Sequence, residues 1–359
     1  MILDQFIYQP IHSLPESGEI SAKSPSNIAL VKYWGKKPIQ IPTNPSISFT
    51  LTNCFTKTTI SFKKSKDFKF NFSVKGLEKP SFVPKIESFL ERIKEWCPYL
   101  FLYQIEIDTE NTFPHSSGIA SSASGFSALA LAIVELEQKI TGISNENKYL
   151  KASFLSRLGS GSASRSLYGP AAIWGQHKNI PSTSDQFAIA YHDLHENFKN
   201  YQDTILLIDK GTKKVSSTVG HELMHNHPFS KERFSQANSN LESMINVLKN
   251  GDLDKFISIS ESEALTLHAM MMTSNPYFIL MKQGTLSAIE KIWSFRGETK
   301  IPLSFTLDAG ANVHLLYPLA YKQQVLDFIG SELIVFCQNQ QYIRDEVGSG
   351  AKIISASYA

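Results

Sequence analysis

The sequence predicts an α+β protein of two domains, and three observations carry that reading. At 359 residues the chain exceeds what one hydrophobic core usually serves, about 250–300 residues. Apolar and polar residues alternate at Ile47, Phe49 and Leu51, and again at Phe68, Phe70, Phe72 and Val74, as in half-buried antiparallel strands. The longest apolar periodicity is instead helical: Ile119, Phe126, Leu129, Ile133, Leu136 and Ile140 recur at mostly three- and four-residue spacing in Ala-rich surroundings. The polar stretch 177–186 reads as the inter-domain connection, so domains of 1–190 and 191–359 are expected.

Taken in order, the first twenty residues read as an irregular arm. Residues 28–31, Ile-Ala-Leu-Val, form a buried-strand run that ends in Lys32-Tyr33-Trp34-Gly35-Lys36, two cations around an aromatic pair. A solvated basic tip is the plain alternative for that cluster. A helix follows Pro84 through Ile86, Phe89, Leu90 and Ile93, and a strand through Tyr103, Ile105 and Ile107 feeds the stretch 111–125, N-T-F-P-H-S-S-G-I-A-S-S-A-S-G. Pro114 and Gly118 punctuate a loop there, and Ser116, Ser117, Ser121 and Ser122 supply hydroxyls just before the long helix. Unpaired N–H groups and the positive end of the helix dipole make such a loop a seat for phosphate, although Ser-rich helix starts also serve as plain caps.

A helix over 145–157 leads into G-S-G-S-A-S-R-S at 159–166. This departs from a dinucleotide fingerprint, because Ser164 replaces the third glycine and a helix, not a strand, precedes it. It is better described as a hydroxyl-lined turn in which Arg165 either clamps an anion or stands at the surface. Strands are expected at 171–174 and 204–209, then V-S-S-T at 215–218 before a helical region with Phe234, Ala237, Leu241, Met244 and Leu248 on one face. The run 265–272, ending in three methionines, reads as core. Leu303, Phe305 and Leu307 alternate as a strand into Asp308-Ala309-Gly310-Ala311-Asn312, and 313–317 returns as another.

Composition narrows the function classes. Lys plus Arg is 35 against 33 Asp plus Glu, a net charge of +2 that gives no footprint for nucleic acid or anionic lipid, so any anion must be met by a local site. Cys54, Cys97 and Cys337 are odd in number and far apart, which fits a reducing, cytoplasmic setting and neither a disulfide framework nor a Cys-based zinc site. No apolar run reaches the roughly 18 residues of a membrane span, and no export signal is read. His221-Glu222-Leu223-Met224-His225 matches the H-E-x-x-H of zinc peptidases, but Pro228 would stop a helix just after it, and a pair of surface histidines is the plainer reading.

A phosphate-seating loop, a two-lysine strand end, an Arg-bearing turn and the acid Asp308 call for one explanation, and neither a Walker loop nor a protein-kinase set is present to supply it. The loop 114–125 resembles the phosphate loop of the GHMP kinase superfamily, P-x-x-x-G-[LI]-x-S-S-A. With it, N-I-A-L-V-K-Y-W-G-K (27–36), G-S-G-S-A-S-R-S (159–166), V-S-S-T (215–218) and T-L-D-A-G-A-N (306–312) resemble the diphosphomevalonate decarboxylase family in content and order, across residues 24–312. The resemblance implies the GHMP kinase fold, two α/β-sandwich domains with a cleft between them. It implies ATP-dependent decarboxylation of mevalonate 5-diphosphate to isopentenyl diphosphate, with ATP and Mg²⁺ as cofactors and a homodimeric assembly.

By the same resemblance Asp308 orients and deprotonates the tertiary hydroxyl, with Lys32 beside it neutralising the migrating phosphoryl group. Arg165 forks onto the substrate carboxylate, and Ser162 and Asn27 complete the hydrogen bonds. The substrate's remaining contacts fall to Tyr33, Trp34, Gly35, Lys36, Lys85, Ser160, Gly161, Ser217 and Thr218. ATP falls to Asn111, Pro114, Ser117, Gly118, Ile119, Ala120, Ser121 and Ser122, with the Ser122 hydroxyl on Mg²⁺. The chain departs from the family pattern at His115 and Ser116, at Ser164 in a common Cys position, at Thr218 where some bacterial members carry Arg, and at Lys85 where an Arg is expected. The last change keeps the charge and loses the fork. A kinase that stops at the phosphorylated alcohol, and decarboxylases of mevalonate or its monophosphate, are the neighbouring readings.

Overall fold

A computed structural model describes residues 2–114, 119–211 and 217–359. Among the described residues, the strands form an eight-stranded sheet and a four-stranded sheet, with a small two-stranded ribbon beside them. The first sheet is built on two long strands, Ser17–Val31 and Ser46–Lys64, paired antiparallel from Ser17↔Lys63 to Val31↔Ile47. Helices α1 (Val83–Ile93), α2 (Ser121–Thr141) and α3 (Asn145–Gly159) cover it. Helix α2 is apolar nearly all round because it lies between the sheet and α3, and Gly142 at φ +66° closes it in the left-handed conformation that favours glycine.

The second sheet runs Ser304–Thr306, Val313–Tyr317, Gln202–Leu206, Tyr342–Glu346, all neighbours antiparallel. Around it stand α4 (Ser217–Glu222), α5 (Ser230–Asn250), α6 (Leu253–Met272), α7 (Gln283–Thr299) and α8 (Lys322–Phe328). A shared core joins the halves: Ile28, Leu30, Ile47 and Phe49 of the first sheet pack with Ile205 of the second and with Ala237, Leu241 and Met244 of α5. Met270 and Met271 pack with Trp34, Met224 and Leu267, so two of the three methionines are core as expected, while Met272 is exposed.

Three expectations need correction. The first strand begins at Ser17, inside the supposed arm, and before it a 3-10 turn at Ile2–Phe6 buries Phe6. Lys69–Val74 pairs parallel, not antiparallel, with Tyr103–Asn111. The stretch 177–186 is no inter-domain connection: it joins Ala171–Trp174 to Ala188–Tyr191, which pair with each other in the first sheet. Arg157 anchors it, donating to the Gln186 carbonyl at 2.7 Å and to Gln186 Oε1 at 2.9 Å. The crossing to the second sheet comes after Tyr191, and the chain crosses back, because Lys352–Tyr358 pairs with the first strand from Gly18↔Tyr358 to Lys23↔Lys352. The last strand of the expected second unit, 191–359, thus lies in the first sheet.

Candidate active site

Four chain segments end at one place. The first strand stops at Val31 and delivers Lys32; α2 starts at Ser121; α3 ends at Gly159 and turns into a 3-10 helix, Gly161–Leu167; the loop after Ser304–Thr306 carries Asp308. Between them lies a cavity of about 280 Å³ lined by Asn27, Lys32, Tyr33, Trp34, Lys36, Lys85, Ala120, Ser122, Ser160, Gly161, Ser162, Arg165, His221 and Asp308. The five residues expected to act on the reacting carbon thus meet there, together with most of those expected to hold substrate. A side chain at position 161 would run into the Trp174 ring at 2.6 Å and the Tyr33 hydroxyl at 3.0 Å, so only glycine lets the turn close on the cavity.

Lys32 is buried. Its Nζ lies 3.3 Å from Asp308 Oδ1 and donates to the Ala29 carbonyl at 2.6 Å. Burial lowers its pKa, and the Asp308 carboxylate opposes that shift. Arg165 is buried too, and burial brings its pKa down to about 10. Its Nε and Nη2 donate to Asn27 Oδ1 at 3.3 and 3.2 Å and its Nη1 to Ser46 Oγ at 2.5 Å, while Asn27 Nδ2 donates to Ser166 Oγ at 2.7 Å and to the Ser162 carbonyl at 3.2 Å. The charge of the Asp308 carboxylate opposes the effect of burial on Arg165. The Tyr33 hydroxyl is buried without a partner among the described residues.

Lys85 reaches the cavity from α1, 5.2 Å from the centre of the Phe126 ring, and burial followed by repulsion from Lys36 lowers its pKa. It and Ser122 also line a second cavity of about 650 Å³, so the two spaces meet at these residues. The second space is mostly apolar, with Phe72, Phe82, Ile86, Phe113 and Phe126 in its wall, and Asn111, Ser121, Lys75, Lys79 and Glu110 around them. Asn111 Oδ1 accepts from the Thr56 hydroxyl at 2.7 Å, and Ser122 Oγ lies 3.2 Å from Ser160 Oγ, where the two hydroxyl-bearing turns touch. The Ile119 side chain is core, and its carbonyl accepts from Ser26 at 2.7 Å. Ser117 and Gly118, with His115 and Ser116, lie outside the described residues; so do Val215 and Ser216 and the side chains of Ser217 and Thr218.

The reading of His221 and His225 as a pair of surface histidines holds for His225 only, because His221 is buried. Helix α4 ends at Glu222, so His225 is not one helical turn beyond His221 on a shared face, and among the described residues no cluster of three His, Cys, Asp or Glu side chains can hold a metal. Instead His221 Nδ1 accepts the Gly35 N–H at 2.9 Å, and its ring packs against Tyr33 and Trp34 with centroids 4.3 and 4.6 Å away. Gly35, at φ +99°, does not line the cavity but turns the chain so that this bond forms. The polar residues that hold the site from behind, Asn44, Ser46, Arg233, Glu263 and His268, were also missed. Each reads in sequence as an ordinary surface residue, and only the fold buries it.

The chain matches two family models: one described as the diphosphomevalonate decarboxylase-like N-terminal domain over residues 24–188, the other as the mevalonate 5-diphosphate decarboxylase C-terminal domain over residues 204–356. It is 30% identical to the diphosphomevalonate decarboxylase of Debaryomyces hansenii over 327 residues, 86% of this chain and 82% of that protein. The mevalonate diphosphate decarboxylase structure from Staphylococcus aureus superposes with a TM-score of 0.82 at 28% identity, covering 94% of this chain and 98% of that one. A structure described as MDDEF in complex with MVAPP, AMPPCP and magnesium superposes with the same TM-score, 0.82, at 27% identity, over 94% and 99% of the two chains.

Proposed function

The chain belongs to the diphosphomevalonate decarboxylase family, and from that premise we infer how its cleft converts mevalonate 5-diphosphate to isopentenyl diphosphate at the expense of ATP, releasing ADP, phosphate and CO₂. One observation carries the reading of the site: Lys32, Lys36, Lys85 and Arg165 line a single cavity in which Asp308 is the carboxylate. Such an excess of partly desolvated cations is satisfied only when a polyanion enters.

A tertiary hydroxide is too poor a leaving group to depart unaided, so the C3 oxygen must first be phosphorylated. Asp308, 26% exposed and facing the cavity, accepts the hydroxyl proton as the oxygen attacks the terminal phosphorus. Lys32 lies against that carboxylate and offsets charge on the transferring group. The C3–O bond then breaks with phosphate as the leaving group; the C1–C2 bond breaks to release CO₂, and its electron pair becomes the C2=C3 double bond. Arg165 supports this step by holding the carboxylate in the plane that its own N–H fork defines, with Asn27 and Ser46 keeping the guanidinium fixed. The 5-diphosphate is assigned to Lys36, Lys85, Tyr33 and the Ser160–Ser162 turn.

The nucleotide is assigned to the larger, apolar-walled cavity, with its phosphates toward the start of α2, where N–H groups lack intrahelical partners. Mg²⁺ would supply charge neutralisation at those phosphates, and the Ser122 hydroxyl, a hard oxygen donor of the kind the ion prefers, stands where the two cavities join and would be its protein ligand. Among the described residues no helix is long and apolar enough to cross a membrane. A cytoplasmic setting and a homodimer complete the reading.

The test is to supply ATP, Mg²⁺ and mevalonate carrying zero, one or two phosphates, and to follow ADP and CO₂ together. The expected outcome is equimolar ADP and CO₂ with the diphosphate as preferred substrate, and loss of turnover in Asp308→Ala with ATP binding kept. ADP without gas would mean a simple kinase, and full activity in Asp308→Ala would remove the acid from the mechanism.

A further inference from the structure

Lys32 and Asp308 stand 3.3 Å apart although they come from strands of different sheets, and each lies just past its strand end, outside any ladder. A displacement of about 1 Å between reacting groups costs on the order of 10²-fold in rate, so something must hold that separation. Helix α6 touches both residues. Through Oε2, Glu263 accepts the backbone N–H of Lys32 at 2.8 Å. Five residues on, His268 Nε2 lies 3.1 Å from the backbone carbonyl oxygen of Asp308, a contact in which the imidazole must be the donor. Five residues along a helix mean about 7.5 Å of rise and about 140° of rotation, so the two side chains leave α6 in different directions, one toward each half of the molecule.

The Glu263 end is built more firmly than a single hydrogen bond. Arg233 forks onto both its oxygens at 2.9 and 2.5 Å, and Asn240 Nδ2 donates to Oε1 at 2.7 Å. Arg233 Nη2 also donates to the Lys32 carbonyl at 3.1 Å, where Asn44 Nδ2 joins at 2.9 Å. The Lys32 backbone is thus gripped at both its N–H and its C=O by side chains that are themselves buried. A buried ion pair contributes little net stability compared with apolar packing, so stability alone is a weak reason for this arrangement.

We propose that Glu263 and His268 are positioning residues, and that α6 is a rigid spacer setting the distance between the catalytic cation and the catalytic acid. This inference rests on the roles given to Lys32 and Asp308 above, and its test separates the two. In the full-length enzyme, His268→Leu is expected to lower kcat about 10- to 100-fold, with KM for ATP and for mevalonate 5-diphosphate within about twofold. His268→Gln, whose amide donates from a similar reach, restores most of that loss. Glu263→Gln lowers kcat to a similar extent, and the double variant His268→Leu/Glu263→Gln loses less than the product of the single effects, because both spoil the same distance. Glu263→Gln disturbs a buried pair and can lower the folded fraction, so its kcat is taken per folded molecule from a melting curve; His268→Leu leaves the Arg233–Glu263 pair intact and stands as a test alone. Unchanged kcat in folded His268→Leu, or a KM that rises in step with the fall in kcat, would overturn the spacer. Wild-type turnover in Lys32→Met would instead overturn the reading of the active site beneath it.

Discussion

Gly35 gives its backbone N–H to Nδ1 of His221, and that contact fixes the imidazole as the neutral tautomer with its proton on Nε2. Burial, with Lys36 and Arg165 nearby, presses the pKa of His221 down to about 3, so the ring is uncharged near neutral pH. A neutral ring suits its place, since it can pack on Tyr33 and Trp34 without adding a further charge to a cavity already lined with cations. The sign of the pH effect follows. The unfolded chain binds a proton on this histidine below about pH 6.5 and the native state does not, so stability is lost as pH falls from 6.5 toward 3. Between pH 7 and 5 the loss from this one group is on the order of 2 kcal/mol. His221→Leu should remove that component: its urea midpoint should shift less than that of the wild type between the two pH values, whatever its absolute stability. Parallel shifts in the two proteins would mean that His221 titrates normally.

At the scale of elements, α2 and α3 are joined by more than apolar contact. Lys151 of α3 is fully buried and donates to Glu137 Oε1 of α2 at 2.6 Å, to the Phe6 carbonyl at 2.8 Å and to the Trp96 carbonyl at 2.9 Å. One ammonium therefore ties together the helix pair, the segment after α1 and the N-terminal turn. Burial raises the pKa of the Glu137 carboxyl and Lys151 opposes that shift, so removing the lysine alone leaves an acid that is costly to keep charged. Lys151→Met should destabilise by about 3–5 kcal/mol in urea unfolding, and Lys151→Met/Glu137→Leu should recover much of it. Equal losses in the single and double variants would show that packing, not the stranded carboxyl, sets the penalty.

The same element shows what a sequence can and cannot carry. The periodicity through Ile119 to Ile140 marks α2 because a buried helix has to repeat its apolar positions, and Lys32, Arg165 and Asp308 are legible because their neighbours form compact, ordered motifs. Lys151, Glu263 and His268 are not, since a buried polar residue is defined by partners far along the chain. The strand from Ser17 escapes notice because S-G-E-I-S-A-K alternates too weakly, and its pairing with Lys352–Tyr358 spans almost the whole chain. The parallel pairing of Lys69–Val74 is hidden for a related reason: alternation reports which face is buried, not the direction of the neighbour.

For the whole molecule, the decisive joint is where the longest strand bends between the sheets. Ser46–Lys64 pairs with the first strand through Asn27↔Thr50 and again from Pro25↔Phe55, so residues 51–54 bulge out of that ladder. Their amides are claimed by the other sheet: Asp345 Oδ1 accepts from Thr52 and Asn53 N–H at 2.8 Å each, and Oδ2 accepts from Cys54 N–H at 2.6 Å. Three consecutive N–H groups around one buried carboxylate form an anion nest, here filled by the protein itself. The link is placed to couple the halves mechanically, because Asp345 lies on the strand paired with Gln202–Leu206 and is followed by the Leu51↔Val347 bridge. Asp345→Asn keeps the shape but replaces one acceptor oxygen with a donor that faces an N–H, a change expected to cost about 2–4 kcal/mol. It should do so at the joint and not within either core, so calorimetry should change from one cooperative transition to two overlapping ones, with calorimetric enthalpy exceeding van't Hoff enthalpy. Catalysis should suffer with it, since Lys32 and Asp308 face each other across these halves and depend on their registration. A single cooperative melt, lowered in temperature but with matching enthalpies, would mean that the apolar interface through Ile28, Phe49 and Leu241 joins the two halves without help from the nest.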